Sequence, residues 1–165
     1  MKSLLIVRHA IAYDRLDAAA EGMPDHARPL TNKGEAKMRR IAQRLAELLP
    51  KPASLLSSPY LRTRQTASIL ARQWGVSAED CADLQPDGNP YLILKSLQNT
   101  AGPVVIVGHE PDLSELIGLL LCGQASSLVR LKKGGAALLH LEEPIETGKA
   151  QLQWHMNPKQ LLGQG

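Results

Sequence analysis

Two four-residue apolar runs, Leu4–Val7 and Val104–Val107, constrain this chain most. Both are rich in β-branched side chains, and they stop abruptly at Arg8-His9 and at Gly108-His109. A strand without polar alternation is one covered on both faces, and helices in crossover connections provide that cover. Ala53–Ser57 reads as a further short strand of the same kind. The segments between these runs must then supply the helices.

They do so with recognisable punctuation. Asn32 and Glu35 have capping-box spacing, and Met38, Ile41, Ala42, Leu45, Leu48 and Leu49 follow on one helical face until Pro50 and Pro52. Ser58-Pro59 offers an N-cap with proline at the first helical position, opening a helix that passes Ile69 and Leu70 and stops at Gly75. Pro90–Gln98 has the look of a short helix, and Leu113, Leu116, Ile117 and Leu120 mark another. Residues 10–30 and 76–88 show no clear period and read as loops. Ala136–Leu141 and Gln151–Met156 read as two late strands, close enough to pair antiparallel at a sheet edge. The expectation is a single domain over residues 1–165: an α/β three-layer sandwich, with a mostly parallel central sheet, helices on both faces and an antiparallel edge strand.

Several function classes drop out on composition. The net charge of +3 is mild, aromatics are 3% and phenylalanine is absent, so a base-stacking nucleic-acid surface is not expected. The apolar start at residues 4–7 is too short for a signal-peptide core or a membrane span, and no other stretch is long enough. Cys81 and Cys122 lack CxxC spacing and read as reduced thiols in a cytoplasmic protein.

The polar residues that matter recur at one structural place. Arg8 and His9 follow the first strand, Ser57, Ser58 and Arg62 the second, and His109 the third. Parallel strands put their carboxyl ends on one edge, where the binding crevice of an open α/β sheet lies. Two guanidinium groups, two imidazoles and helix N-termini around one point suit a phosphate dianion. Phosphoryl transfer asks for little beyond positioned positive charge and an in-line nucleophile. A neutral His9 can be that nucleophile, provided that an acceptor ties down one ring nitrogen and leaves the other free.

Val7-Arg8-His9, then Ser58-Pro59-x-x-Arg62-x-x-Gln65-Thr66, then Gly108-His109, in that order, resemble the histidine phosphatase superfamily. The small size and Arg28-Pro29-Leu30-Thr31 narrow the resemblance to its SixA-like phosphohistidine phosphatase branch, over nearly the whole chain. It implies a phosphoglycerate-mutase-like fold, His9 as nucleophile, Arg8, Arg28 and Arg62 as the phosphate grip, and His109 as a donor to the developing charge. Ser58 is a further candidate substrate contact. No cofactor and no metal is implied. The partner implied is a phosphorylated signalling protein, a His-containing phosphotransfer domain among the candidates, with no nucleic acid and no membrane.

This sequence departs from the superfamily pattern twice. Ala10 stands where many members carry glycine, which a negative φ accommodates. Mutases and broad phosphatases of the superfamily carry a glutamate acid after the second strand's helix, whereas Leu84–Gly88 here holds none and Asp87 is the nearest carboxylate. An alkoxide leaving group benefits from a proton donor by about 10²–10⁴-fold. The imidazole leaving from phosphohistidine needs less help, so the missing glutamate points to an N–P bond. Asp87 and Glu110 remain candidate acids, with Asp14 and Asp25 less favoured. Glu110-Pro111 reads more naturally as the turn beside His109.

Other readings stay open at the level of sequence. A phosphatase of small metabolites would use the same residues, although no long insertion after Arg62 offers a lid. A non-catalytic phosphate-binding module would be expected to lose His9. Ser57 and Ser58 lie in no GxSxG elbow, and a metal hydrolase on His9 and His109 would set a cation against arginines without carboxylate ligands. His26, His140 and His155 read as bystanders, and Arg39, Arg40 and Arg44 as a solvated helix face that could touch an acidic phosphoprotein.

Overall fold

A computed structural model describes residues 1–164. Its framework is one six-stranded sheet formed by β1 (Lys2–Arg8), β2 (Ser54–Ser57), β3 (Ala78–Asp80), β4 (Val104–Gly108), β5 (Ala136–Leu141) and β6 (Gln151–Met156). The order across the sheet is β3-β2-β4-β1-β5-β6. The first four in that order are mutually parallel, while β5 is antiparallel to both β1 and β6.

Alternation along each buried strand divides the core in two, as the uninterrupted apolar runs require. Leu5, Val7, Val105 and Val107 face α2 (Asn32–Leu48) and α3 (Leu61–Trp74), where they meet Met38, Ile41, Leu45 and Leu70. Leu4, Ile6, Val104 and Ile106 face α4 (Pro90–Gln98) and α5 (Asp112–Cys122), where they meet Leu97, Leu113, Leu116 and Leu120. The three layers are those expected. No helix among the described residues is long and apolar enough to cross a membrane.

Local details differ from the sequence reading. The stretch 10–30 holds a one-and-a-half-turn helix, α1 (Arg15–Ala20), capped by the Asp14 carboxylate, and a 3₁₀ turn at Asp25–Ala27. The stretch 76–88 holds the short edge strand β3. Thr31, not Asn32, caps α2, accepting from Gly34 N at 2.9 Å. Thr31 prevails because its own backbone N–H is already fixed on Ile11 O at 3.0 Å. Ser58-Pro59 does not open α3: Tyr60 is the cap residue, and the chain first turns, with Tyr60 N on Ser58 Oγ at 3.3 Å. Arg62 nevertheless stays in the helix's first turn. A last short helix, α6 (Pro158–Leu161), follows β6.

Candidate active site

Sheet register decides which side chains can meet. Arg8 lies opposite Gly108, and Ser57 lies opposite Val107, so β1, β4 and β2 end level with β4 in the middle. The next residue of each strand is therefore brought to one place: His9 N bonds Gly108 O at 3.2 Å, and Ser58 N bonds Val107 O at 3.0 Å. Above this edge lies a crevice of about 420 Å³ lined by Arg8, His9, Arg28, Arg62, His109 and Glu110, among others. The imidazoles of His9 and His109 face each other across it, with ring centroids 5.5 Å apart.

The hydrogen-bond network assigns both tautomers. His9 Nδ1 lies 2.7 Å from Ala10 O, and a carbonyl only accepts, so Nδ1 carries the proton and Nε2 keeps its lone pair. Ala10 is itself held, its N–H donating to Thr66 Oγ1 at 3.1 Å. His109 Nε2 lies 2.8 Å from Ser58 Oγ, whose hydroxyl has no other acceptor among the described residues and so gives its proton to the ring. That leaves the His109 proton on Nδ1. Burial drives the pKa of His9 down to about 3, with His109, Arg62 and Arg8 pushing the same way against the Ala10 bond. Burial, then Arg62, lowers His109 to about 3 as well. At neutral pH both rings are uncharged, one an available nucleophile and the other a donor.

The guanidinium groups are fixed from behind. Arg8 donates from Nη1 to Leu131 O at 2.9 Å. Arg28 donates from Nη1 to Tyr13 O at 2.6 Å and from Nε to Asp25 Oδ1 at 2.8 Å. Arg62, 2% exposed, reaches Asp25 through both Nη atoms and lies 5.1 Å from the ring centre of Tyr60. Burial lowers the pKa of Arg8 and Arg62, yet each remains a cation far above neutrality. Among the described residues, the buried side-chain nitrogens without a hydrogen-bond partner are Arg8 Nε, Arg62 Nε and His109 Nδ1. All three are donors on crevice-lining residues, and buried donors without acceptors are rare. The crevice is a cradle for an oxyanion.

The structure thus brings together Arg8, His9, Arg28, Arg62 and His109. Ser58 differs from the expected direct contact: it is fully buried, sits behind His109 and does not line the crevice. Asp87 does not line it either; the residue adopts a φ of 63° and donates its backbone N–H to Asp112 Oδ2 at 2.9 Å. Glu110 does line it, but its carboxylate accepts from Ser114 N at 2.9 Å and Leu131 N at 3.3 Å. Asp14 is occupied as the α1 cap. Burial raises the Asp25 pKa, but the Arg28 hydrogen bond and the Arg62 charge outweigh it and hold the carboxyl below its ordinary value. Asp25 is an anchor for cations, not an acid.

Two supports have roles that the sequence pattern alone does not assign. Thr66 is fully buried and holds the Ala10 peptide. Gly34 lets α2 approach the chain just after His9, since a Cβ there would lie 2.1 Å from Ile11 O.

Comparison with known proteins bears on the family and the fold. Residues 4–85 match the histidine phosphatase superfamily (branch 1). An uncharacterized protein of Picosynechococcus sp. is 38% identical over 164 residues, covering 96% of this chain and 93% of that protein. Phosphohistidine phosphatase SixA of Escherichia coli is 27% identical over 161 residues, covering 94% of this chain and 93% of that protein. The structure of the protein histidine phosphatase SixA complexed with tungstate superposes with a TM-score of 0.83 at 28% identity, over 96% of this chain and 99% of that one. The fold is accordingly the phosphoglycerate-mutase-like α/β fold, and this chain belongs to the histidine phosphatase superfamily, among its SixA-like members.

Proposed function

We propose that this phosphatase removes the phosphoryl group from phosphohistidine borne on a protein, with His9 as the nucleophile. The observation that carries the reading is the state of the carboxylates around the cradle. Glu110 and Asp14 accept backbone N–H bonds, Asp25 is bound by arginines, and Asp87 does not line the crevice. No carboxyl is set aside to protonate an alkoxide.

With phosphohistidine as substrate none is required. His9 Nε2 attacks phosphorus as the substrate's N–P bond breaks, and the substrate ring, already protonated on its other nitrogen, leaves as neutral imidazole. One imidazole N–P bond is exchanged for another, so this half-reaction is close to balanced in energy. His9 keeps its Nδ1 proton on Ala10 O throughout. Water then attacks phosphorus, the N–P bond to His9 breaks, and dihydrogen phosphate departs. Arg8, Arg28, Arg62 and the His109 Nδ1 proton hold the oxygens through both displacements. The openness of the crevice supports a protein-borne phosphate, because Pro86 is the sole lining residue from the α3–β4 connection.

The test is to compare kcat/KM on a phosphohistidine peptide with that on a simple alkyl phosphate, and to trap the enzyme label. We expect a preference for the peptide of at least about 10²-fold and an acid-labile, base-stable label on His9. Equal or faster hydrolysis of the alkyl phosphate refutes the substrate assignment. Full activity in His9→Ala refutes the nucleophile.

A further inference from the structure

The surface beside the crevice carries charge that the phosphoryl chemistry does not use. Lys37 on α2, Lys132 and Lys133 before β5, and Lys159 on α6 line one shallow groove with Arg8. Arg8 and Lys133 line the catalytic crevice too, so the groove opens directly from it. No carboxylate and no aromatic ring lines the groove. Among the described residues none of the four lysines forms an ion pair with Asp or Glu. Arg39 pairs with Glu35, Arg44 with Glu47 and Arg64 with Asp80, and single cations such as Lys51 and Lys95 stand unpaired among the described residues, but in the groove four lysines and Arg8 gather with no carboxylate among them. The solvated face of α2 considered as an acidic-protein contact is thus partly neutralised by its own chain, and the lysine groove is not.

The backbone that carries two of the lysines is also fixed. Gly134 N donates to the carbonyls of Arg8 at 3.2 Å and His9 at 3.1 Å, and Arg8 N donates to Gly135 O at 3.1 Å. The segment bearing Lys132 and Lys133 is therefore tied to the backbone of the nucleophile itself. Like charges gathered without counter-charges repel one another and add nothing to folding, whereas they attract and orient an anionic partner.

We infer that this groove docks carboxylates that flank the phosphohistidine on an acidic phosphoprotein, and so selects which phosphoproteins reach His9. The inference rests on the protein-substrate reading above. Lys37, Lys132 and Lys159 line the groove and not the catalytic crevice, so a small phosphorylated metabolite seated in the cradle alone makes no use of them. Single-stranded nucleic acid is the weaker occupant, because its bases need aromatic platforms that the groove lacks.

Two measurements test the inference. The first is binding of a fluorescent Glu/Asp-rich decapeptide without phosphate, against a Ser/Gly-rich control, to the wild type and to Lys37→Gln/Lys132→Gln/Lys159→Gln. Lys133 is left intact because it lines the crevice. The acidic peptide should bind at least about ten-fold tighter than the control, and the triple variant should lose that margin. Raising NaCl from about 50 to about 300 mM should abolish it in the wild type. The second is kcat/KM on phosphohistidine peptides with acidic or neutral flanks, alongside p-nitrophenyl phosphate. The triple variant should raise KM about ten-fold for the acidic peptide alone and leave p-nitrophenyl phosphate hydrolysis unchanged. Equal binding of the two decapeptides, or retention of the acidic preference by the triple variant, overturns the docking surface. An RNA oligomer that displaces the acidic peptide at about 150 mM NaCl overturns it in favour of nucleic acid. Failure to hydrolyse either phosphohistidine peptide refutes the substrate reading instead, and the decapeptide arm still decides the groove.

Discussion

Asp25 meets Arg62 twice: Arg62 Nη1 donates to the Asp25 carbonyl at 2.8 Å, and Nη2 donates to Oδ2 at 3.2 Å. The other carboxylate oxygen takes Arg28 Nε at 2.8 Å. One acidic side chain thus sets the spacing of two guanidinium groups and partly offsets their mutual repulsion. Asp25→Asn keeps the shape and removes the charge. We expect it to weaken inhibition by inorganic phosphate or tungstate and to lower kcat/KM by about 10–100-fold, the usual range for a side chain that orients ligand-binding groups. The carboxylate is 40% exposed and screened by water, so its loss should cost only about 1–2 kcal/mol of stability. Wild-type kcat/KM in Asp25→Asn would show that the arginines hold their places unaided.

Acidity should unfold this protein through the two histidines of its own crevice. Burial and neighbouring cations lower His9 and His109 from 6.5 to about 3. Between those values the unfolded chain binds protons that the folded chain refuses, so stability falls as pH falls through the window. With about 1.4 kcal/mol per pKa unit per ring, the loss by pH 4.5 amounts to several kcal/mol. Thermal melts from about pH 7.5 to 4.5 should show a steep decline in Tm, less steep in His9→Gln/His109→Gln. Added phosphate should protect more at the acid end, because an anion in the cradle favours the charged rings. A Tm in the wild type that is flat across the window contradicts this account.

Gly34→Ala sets two effects against each other. Alanine in a helix is favoured over glycine by up to about 1 kcal/mol. The new Cβ would lie 2.1 Å from Ile11 O, a backbone atom that cannot swing aside as a side-chain tip could. Forcing α2 away from residues 10–12 should cost about 1–3 kcal/mol net, and should lower activity by disturbing the chain next to His9. Denaturant melts and kcat on one substrate check both parts. A stabilised Gly34→Ala of full activity would mean that the helix shifts freely.

What could be read from the sequence follows from what local pattern encodes. The meeting of Arg8, His9, Arg62 and His109 is legible because each stands at a strand's carboxyl end or in the turn and helix start that follow it, and parallel strands align their ends. Their supports depend on contacts between distant segments. Asp25 reaches Arg62 across thirty-seven positions, and Thr66 reaches Ala10 across fifty-six, and no spacing rule announces either. Ser58 was legible as a site residue but not as one acting through His109, because only the packed structure shows which face of the turn its hydroxyl takes. Asn32 is as good a cap as Thr31 in isolation. The long-range bond to Ile11 decides between them.

Thr66 gives the most selective test of how His9 is set. Its Oγ1 accepts from Ala10 N at 3.1 Å and donates to Arg62 O at 2.8 Å, while Ala10 O accepts the His9 Nδ1 proton at 2.7 Å. Ala10 is thus held at its N–H by α3 and at its carbonyl by His9. Thr66→Val preserves the volume and leaves the buried N–H without an acceptor, at about 1–3 kcal/mol. If the clamp orients His9, kcat should fall by about ten-fold or more with little change in affinity for phosphate, since no guanidinium has moved. Thr66→Ser restores the hydroxyl and should recover most of kcat. A variant series in which stability falls but kcat holds would assign Thr66 to packing alone.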